Sequence, residues 1–180
     1  MNDHPSTPAL VMLFTGKGKG KTTAALGMLM RARGHGRRCA VIQFIKSRCD
    51  TGEYRFIRQQ MPEVTFIVSG AGFVNGGHSS VEEHRKIAAH GWSAARKLMT
   101  GGELDLLILD EFTYALRYGF LDEDDVISAL QNRSPGVDVV ITGRDASPRL
   151  HEIADLISDI GEVRHPWATR GVRAKEGIDY

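Results

Sequence analysis

Residues 15–23 read TGKGKGKTT, three glycines alternating with three lysines ahead of a pair of threonines. Alternating glycines let a backbone turn tightly and let its N–H groups approach a ligand closely, while the lysines place positive charge in the same few ångströms. The stretch lies between an apolar run, LVMLF at 10–14, and TTAALGMLMRARGHG at 22–36, whose apolar residues recur at helical spacing before glycines end it. Strand, glycine loop and helix in that order form a seat for a phosphate chain, because the loop amides and the positive end of the helix meet at one point. In the general pattern G-x-x-x-x-G-K-[ST], Lys21 reaches the phosphates and the Thr22 hydroxyl binds Mg²⁺. Lys17 and Lys19 add charge. The stretch departs from that pattern at one place, since glycine is required at position 15 and the chain has Thr15. A lone G-x-G-x-G reads better as a flexible basic turn; G-K-T-T at a strand-to-helix junction favours the phosphate seat.

Outward from the loop, four more apolar runs stand out: RCAVIQFI from Arg38, VTFIVS from Val64, LDLLILDE from Leu104 and VDVVITGR from Val137. They are continuous rather than alternating, as in strands buried on both faces. Residues 80–100, SVEEHRKIAAHGWSAARKLMT, open with a Ser cap and an acidic first turn and predict a long helix despite Gly91. LDEDDVISALQNR at 121–133 predicts an exposed, acid-capped helix, and a polar loop with a short helix separates the second and third runs. Strands alternating with helices predict an α/β fold, a parallel sheet with helices on both faces, and the glycine loop after the first strand makes the expected fold P-loop NTPase-like (RecA-like). The 180 residues suit one domain, with 1–9 flexible and the tail GEVRHPWATRGVRAKEGIDY packing as an extended strap.

A net charge of +1, with 42% hydrophobic and 25% charged residues, gives no general basic footprint for nucleic acid. No apolar run approaches the roughly 20 residues that cross a bilayer, and MNDHPSTPAL lacks the charged start and apolar middle of a signal peptide, so a cytoplasmic protein with no membrane partner is expected. Cys39 and Cys49 show no C-x-x-C spacing and are read as reduced thiols. The seven histidines contain no H-E-x-x-H pair, and His84, His90 and His151 are assigned solvated or packing roles.

The second half of a nucleotide site is a carboxylate at the end of a buried strand, and LLILDE supplies Asp110 and Glu111 there; a cap for the helix that follows is the competing reading. Arg144 leaves the C-terminal end of another strand, the edge at which open α/β sheets bind ligands, and reads either as a phosphate contact or as a surface charge. These residues define a Mg-nucleotide-binding domain and do not choose among transfer chemistries.

TGKGKGKTTAALG, VIQFIK, LDLLILDE, VVITGR and the closing GVRAKEGIDY occur in the order found in the P-loop ATP:corrinoid adenosyltransferases, which the chain resembles along almost its full length. That family has the same shortened loop, with Thr-Gly ahead of it, so Thr15 agrees with the resemblance. The resemblance implies transfer of the 5′-deoxyadenosyl group of ATP to cobalt(I) of a reduced corrinoid, with release of triphosphate and with Mg²⁺ or Mn²⁺ as cofactor. ATP is then reversed relative to ordinary P-loop enzymes, and the loop holds a leaving group. Thr15, Gly16, Lys17, Gly18, Lys19, Gly20, Lys21, Thr22, Thr23, Arg31 and Arg144 are the implied nucleotide-binding set. Lys21 and Glu111 are the implied catalytic residues, with Thr22, Glu111 and Asp110 at the metal. The segment AGFVNGG at 71–77 stands where some members have G-F-T-W, so Phe73 and Asn75 are the implied corrinoid contacts, with Asn75 in the tryptophan position; a branch of the family also lacks that tryptophan. Trp167, among basic residues, reads as a corrin contact or as packing. A homodimer and a flavin-dependent reductant are the implied partners. A γ-phosphoryl-transferring kinase or ATPase and a noncatalytic nucleotide switch remain the alternatives that the loop and LDE alone support equally.

Overall fold

The structure, a computed structural model, describes residues 8–45, 50–72 and 80–179. The elements run β1 (Val11–Thr15), α1 (Lys21–Gly34), β2 (Cys39–Phe44), α2 (Gly52–Gln60), β3 (Thr65–Ser69), α3 (Val81–Thr100), β4 (Leu106–Asp110), α4 (Thr113–Arg117), α5 (Glu123–Gln131), β5 (Asp138–Thr142), α6 (Pro148–Ile153), β6 (Leu156–Asp159) and α7 (Pro166–Arg170). The strands form one six-stranded sheet in the order β3-β2-β4-β5-β1-β6, every pair parallel. This is the α/β, P-loop NTPase-like architecture that the alternation of apolar runs and helices predicts.

The unbroken apolar runs have a direct cause. Alternate residues of each central strand enter opposite cores: Leu13, Ile42, Leu107, Leu109 and Ile141 face one, and Phe14, Val41, Ile108 and Val140 face the other. α3, α4, α5 and α6 cover the first core with Trp92, Ala115, Leu130 and Leu150, and α1 and α2 cover the second with Leu29 and Ile57. The Trp92 indole closes the first core while its Nε1 donates to Asp125 Oδ2 at 2.7 Å, so the buried ring leaves no donor stranded.

The C-terminal part departs from expectation. Leu156–Asp159 is a sixth strand, paired with β1 from Met12↔Leu156 to Thr15↔Asp159. It escapes the apolar-run test because it is a four-residue edge strand whose Leu156 and Ile157 are exposed rather than buried on both sides. The tail beyond it is not a plain extended strap, since it contains α7 and a turn at 176–179. The short helices α4 and α6 carry too few residues to show periodicity. No helix of the described residues is long and apolar enough to cross a membrane.

Gly91, an apparent weakness in α3, is a packing requirement. A Cβ there would lie 2.2 Å from Ser69 Oγ and 2.6 Å from Ser69 Cβ, at the point where α3 crosses the end of β3. The same Ser69 hydroxyl donates to Ile87 O at 2.7 Å, so it cannot swing away without losing a bond. Gly91→Ala is expected to lower stability by about 1–3 kcal/mol in urea unfolding, despite the higher helix propensity of alanine. Equal or greater stability would show that the contact yields freely.

Candidate nucleotide site

β1 ends at Thr15, and residues 16–20 lead into α1 along the outer strand β6. Gly16 has φ +95°, and a Cβ on it would lie 2.3 Å from Asp159 Oδ1 and 2.6 Å from Ile160 O. A Cβ on Gly18 would lie 2.4 Å from Gly161 O. The same two stretches are stitched together by Gly18 N donating to Ile160 O at 2.7 Å and Ile160 N donating to Thr15 O at 2.9 Å. The loop therefore needs glycine because another backbone runs against it, a cause that lies outside the loop itself.

α1 starts differently from its neighbours. Thr51, Ser80, Asp122 and Ser147 cap α2, α3, α5 and α6 with side-chain acceptors, whereas α1 begins at Gly20, φ +116°, with no side-chain cap and no acidic residue in its first turn. No side chain caps its amino-terminal N–H groups, the arrangement that suits an anion. The Lys21 side chain is buried, and its Nζ donates to Gly16 O at 2.7 Å and Gly18 O at 2.6 Å, folding the loop around the ammonium. Burial lowers the Lys21 pKa from the usual lysine value and the positive charge of Arg144 lowers it further, against Glu111, Asp159 and Asp110, which raise it.

Asp110 is 1% exposed at the end of β4 and is held from three directions. Its Oδ1 accepts from Thr22 Oγ1 at 2.8 Å and Thr142 Oγ1 at 2.7 Å, and its Oδ2 accepts from Gln43 Nε2 at 2.9 Å. Glu111 follows at φ +56°, an uncommon conformation for glutamate, with its N–H donating to Thr142 Oγ1 at 2.9 Å. Beside it, Gly143 allows β5 to exit close to Thr113, whose Oγ1 donates to Arg144 O at 2.7 Å and fixes the arginine's backbone.

These parts surround an open cavity of about 410 Å³ at the C-terminal edge of the sheet. Gly18, Lys19, Gly20, Lys21, Thr22, Thr23, Glu111 and Arg144 line it together. Asp110 lies directly behind Thr22, and Thr15 and Gly16 form the base of the loop. Lys17 is exposed and lies off the cavity wall. Arg31 is an exposed residue on the far part of α1, beside a separate pocket with His35, Arg37 and Asp138. Ten residues of helix at 1.5 Å each carry it roughly 15 Å from Lys21, to the opposite edge of the sheet. Phe73, Asn75 and Cys49 lie outside the described residues. Trp167 is 59% exposed rather than packed. His84 is buried and stacked on Phe120, while His90 and His151 are exposed. Cys39 is a buried free thiol whose pKa burial pushes up to about 11.

Sequence reasoning missed several wall and support residues. Gln43 and Thr142, the partners of Asp110, carried a signal, each being a polar residue inside an otherwise apolar run. Glu53, Tyr114 and the tail residues Gly177–Asp179 also line the cavity. Desolvation raises the Tyr114 pKa and the charge of Glu111 adds to the shift, which keeps the phenol protonated.

A glycine-rich loop on an uncapped helix, backed by a buried carboxylate on the neighbouring strand, defines a P-loop protein of the α/β class. The family model described as ATP:corrinoid adenosyltransferase BtuR/CobO/CobP matches residues 7–180, and the chain belongs to that family. It is 36% identical over 171 residues to a corrinoid adenosyltransferase of Pseudomonas aeruginosa, covering 95% of this chain and 83% of that protein. A corrinoid adenosyltransferase of Escherichia coli K12 is 37% identical over 174 residues, covering 95% and 85%. Corrinoid adenosyltransferase CobA of Salmonella typhimurium is 37% identical over 171 residues with the same coverage.

Asp110→Ala would leave the Thr22 and Thr142 hydroxyls and the Gln43 amide without their common acceptor, and is expected to cost at least about 2 kcal/mol in chemical unfolding. Asp110→Asn, which keeps the shape and one acceptor oxygen, should cost distinctly less. Equal losses for the two variants would rule out the hydrogen-bonding role.

Proposed function

We propose that the protein transfers the 5′-deoxyadenosyl group of ATP to cobalt(I) of a reduced corrinoid, cobalamin or a precursor, and releases triphosphate, serving adenosylcobalamin synthesis or corrinoid salvage. The observation that carries this reading is the loop from Gly16 to Thr22, with its uncapped helix and its Asp110-anchored threonine, in a chain that the adenosyltransferase family covers nearly end to end. The family matches lend no support to γ-phosphoryl transfer.

In the reaction the cobalt(I) substrate donates an electron pair to C5′. The Co–C bond forms as C5′–O5′ breaks, and that bonding pair leaves on the triphosphate. No protein nucleophile is needed, so the protein's work is orientation and stabilisation of the departing charge. Lys21 is held at the base of the loop by Gly16 O and Gly18 O, with its charge directed at the phosphate seat. Lys19 and Arg144 add charge at the cavity wall, and the first amides of α1 supply N–H donors. Three cationic groups around one cavity suit a leaving group whose charge is spread along three phosphates.

The Thr22 hydroxyl, Asp110 and Glu111 are hard oxygen donors, few in number, and such a set suits Mg²⁺ or Mn²⁺, which takes its remaining positions from phosphate oxygens and water. The ion supplies neutralisation of the triphosphate charge when bound. Thr22 and Glu111 would hold it, with Asp110 accepting from the Thr22 hydroxyl and orienting it. Phe73 and Asn75 are proposed on the corrinoid side. The proposed active form is a homodimer in the cytoplasm, with a flavin-dependent reductant supplying the electrons. Leu156 and Ile157, 42% and 44% exposed on the edge strand, offer an apolar strip for a second copy to cover.

The test is an anaerobic assay with ATP, Mg²⁺ and chemically reduced cob(I)alamin, following the corrinoid spectrum and the phosphate products together. Photolabile adenosylcobalamin and triphosphate are expected in equal amounts. Lys21→Ala should lower kcat/KM on the order of 100-fold or more, and Glu111→Gln should lower it with a raised Mg²⁺ requirement. ADP without a cobalt–carbon bond would reassign the chain to phosphoryl transfer.

A further inference from the structure

The last turn of the chain lies against the phosphate loop. Gly177, Ile178 and Asp179 line the same cavity as the loop residues Gly18, Lys19 and Gly20. The turn is closed internally, with Ile178 N and Asp179 N donating to Lys175 O at 3.2 and 2.8 Å and Lys175 N donating to Asp179 Oδ2 at 2.7 Å. Among the described residues two ion pairs join it to the body. Asp179 Oδ1 pairs with Lys19 Nζ, and Glu176 Oε1 lies 3.7 Å from Arg55 Nη2 on α2. The Asp179 side chain is 18% exposed and the Lys19 side chain 48%, so the first pair is partly sheltered and solvent reaches it from the cavity side. Ile178, by contrast, is 78% exposed at the rim.

We propose that Lys175–Asp179 is a latch displaced by polyphosphate: the Asp179 carboxylate pairs with Lys19 and competes with phosphate for it, and an incoming triphosphate chain exchanges for the carboxylate. This rests on the phosphate seat of the proposed function and goes beyond it, by naming a residue that competes with the substrate. The exchange is favoured by charge, because one carboxylate carries a single negative charge whereas a triphosphate carries several, and the surrounding Lys21, Arg144 and α1 amides add to the pull on the larger anion. It also runs in reverse. A triphosphate product surrounded by lysines would leave slowly, and Asp179 returning to Lys19 competes for one of its contacts as it departs. No bond is made or broken in the exchange, which swaps one ion pair for another.

The sign of one mutation separates a latch from a fixed wall. A structural wall predicts that Asp179→Asn weakens ligand binding, because the turn loosens. A competitor predicts the opposite. Titration of the full chain with inorganic tripolyphosphate by calorimetry is expected to show Asp179→Asn binding about two- to fivefold more tightly than the unaltered protein, the size expected for a half-exposed ion pair. In a Lys19→Gln background the same change should have no effect, since the competed partner is gone. A Kd for Asp179→Asn that is unchanged or weaker, or a gain that persists without Lys19, overturns the latch while leaving the phosphate seat intact. If the unaltered protein fails to bind tripolyphosphate, the phosphate seat fails and the latch with it.

Discussion

A buried carboxylate with three donors holds the site together. Asp110 is 1% exposed, and burying its charge without partners would be prohibitive; Thr22 from α1, Gln43 from β2 and Thr142 from β5 supply the hydrogen bonds that make it tolerable. Because the three donors come from three elements, satisfying one carboxylate also fixes the start of α1 against the ends of β2 and β5. Thr22 is the member of this set that faces the cavity, and its hydroxyl is oriented by an acceptor it cannot exchange for water. Glu111 gains from the same cluster. Its N–H goes to Thr142, and the positive φ that follows from this position turns the chain at the cavity wall.

The phosphate loop depends on a different neighbour. Its glycines at 16 and 18 are squeezed by the backbone leaving β6, so the outermost strand of the sheet shapes the innermost part of the site. This gives Thr15 a physical account. The residue is buried as the last of β1, where its carbonyl accepts from Ile160, and the left-handed conformation needed for the turn falls one residue later, on Gly16. A side chain is tolerated at 15 because the strand continues through it.

What the sequence disclosed and what it hid follow from the range of the forces involved. Strands buried on both faces must be apolar throughout, and a loop that turns through positive φ must have glycine, so β1, β2, β4, β5 and the phosphate loop could be read from short stretches. β6 could not, because its side chains are largely exposed and its role is set by pairing with the first strand of the chain, as in the register Met12↔Leu156. Gly91 looked like a helix flaw because the Ser69 it accommodates is on another element. Arg31 came from the resemblance alone, and nothing in a short stretch of sequence shows that three turns of helix carry it from the loop cavity to a separate pocket. Gln43 and Thr142 were visible as polar residues in apolar runs, yet only the fold shows that they share one acceptor.

Two lysines of the loop already have partners within the chain, and this changes how binding should be pictured. Lys21 is satisfied by the carbonyls of Gly16 and Gly18, and Lys19 by Asp179. A phosphate chain therefore enters by exchange, and what it gains is the difference between its own interactions and those of the groups already present. The two lysines differ in what they would give up. Lys21 can keep its carbonyls while adding a phosphate, since an ammonium has three donors and only two are used. Lys19 loses a carboxylate of like sign to the ligand, which cannot comfortably share the same space with it. The loop thus combines one cation fixed by its own backbone with another whose partner is mobile by charge, and a site built this way can bind a highly charged leaving group firmly during transfer without retaining it afterwards.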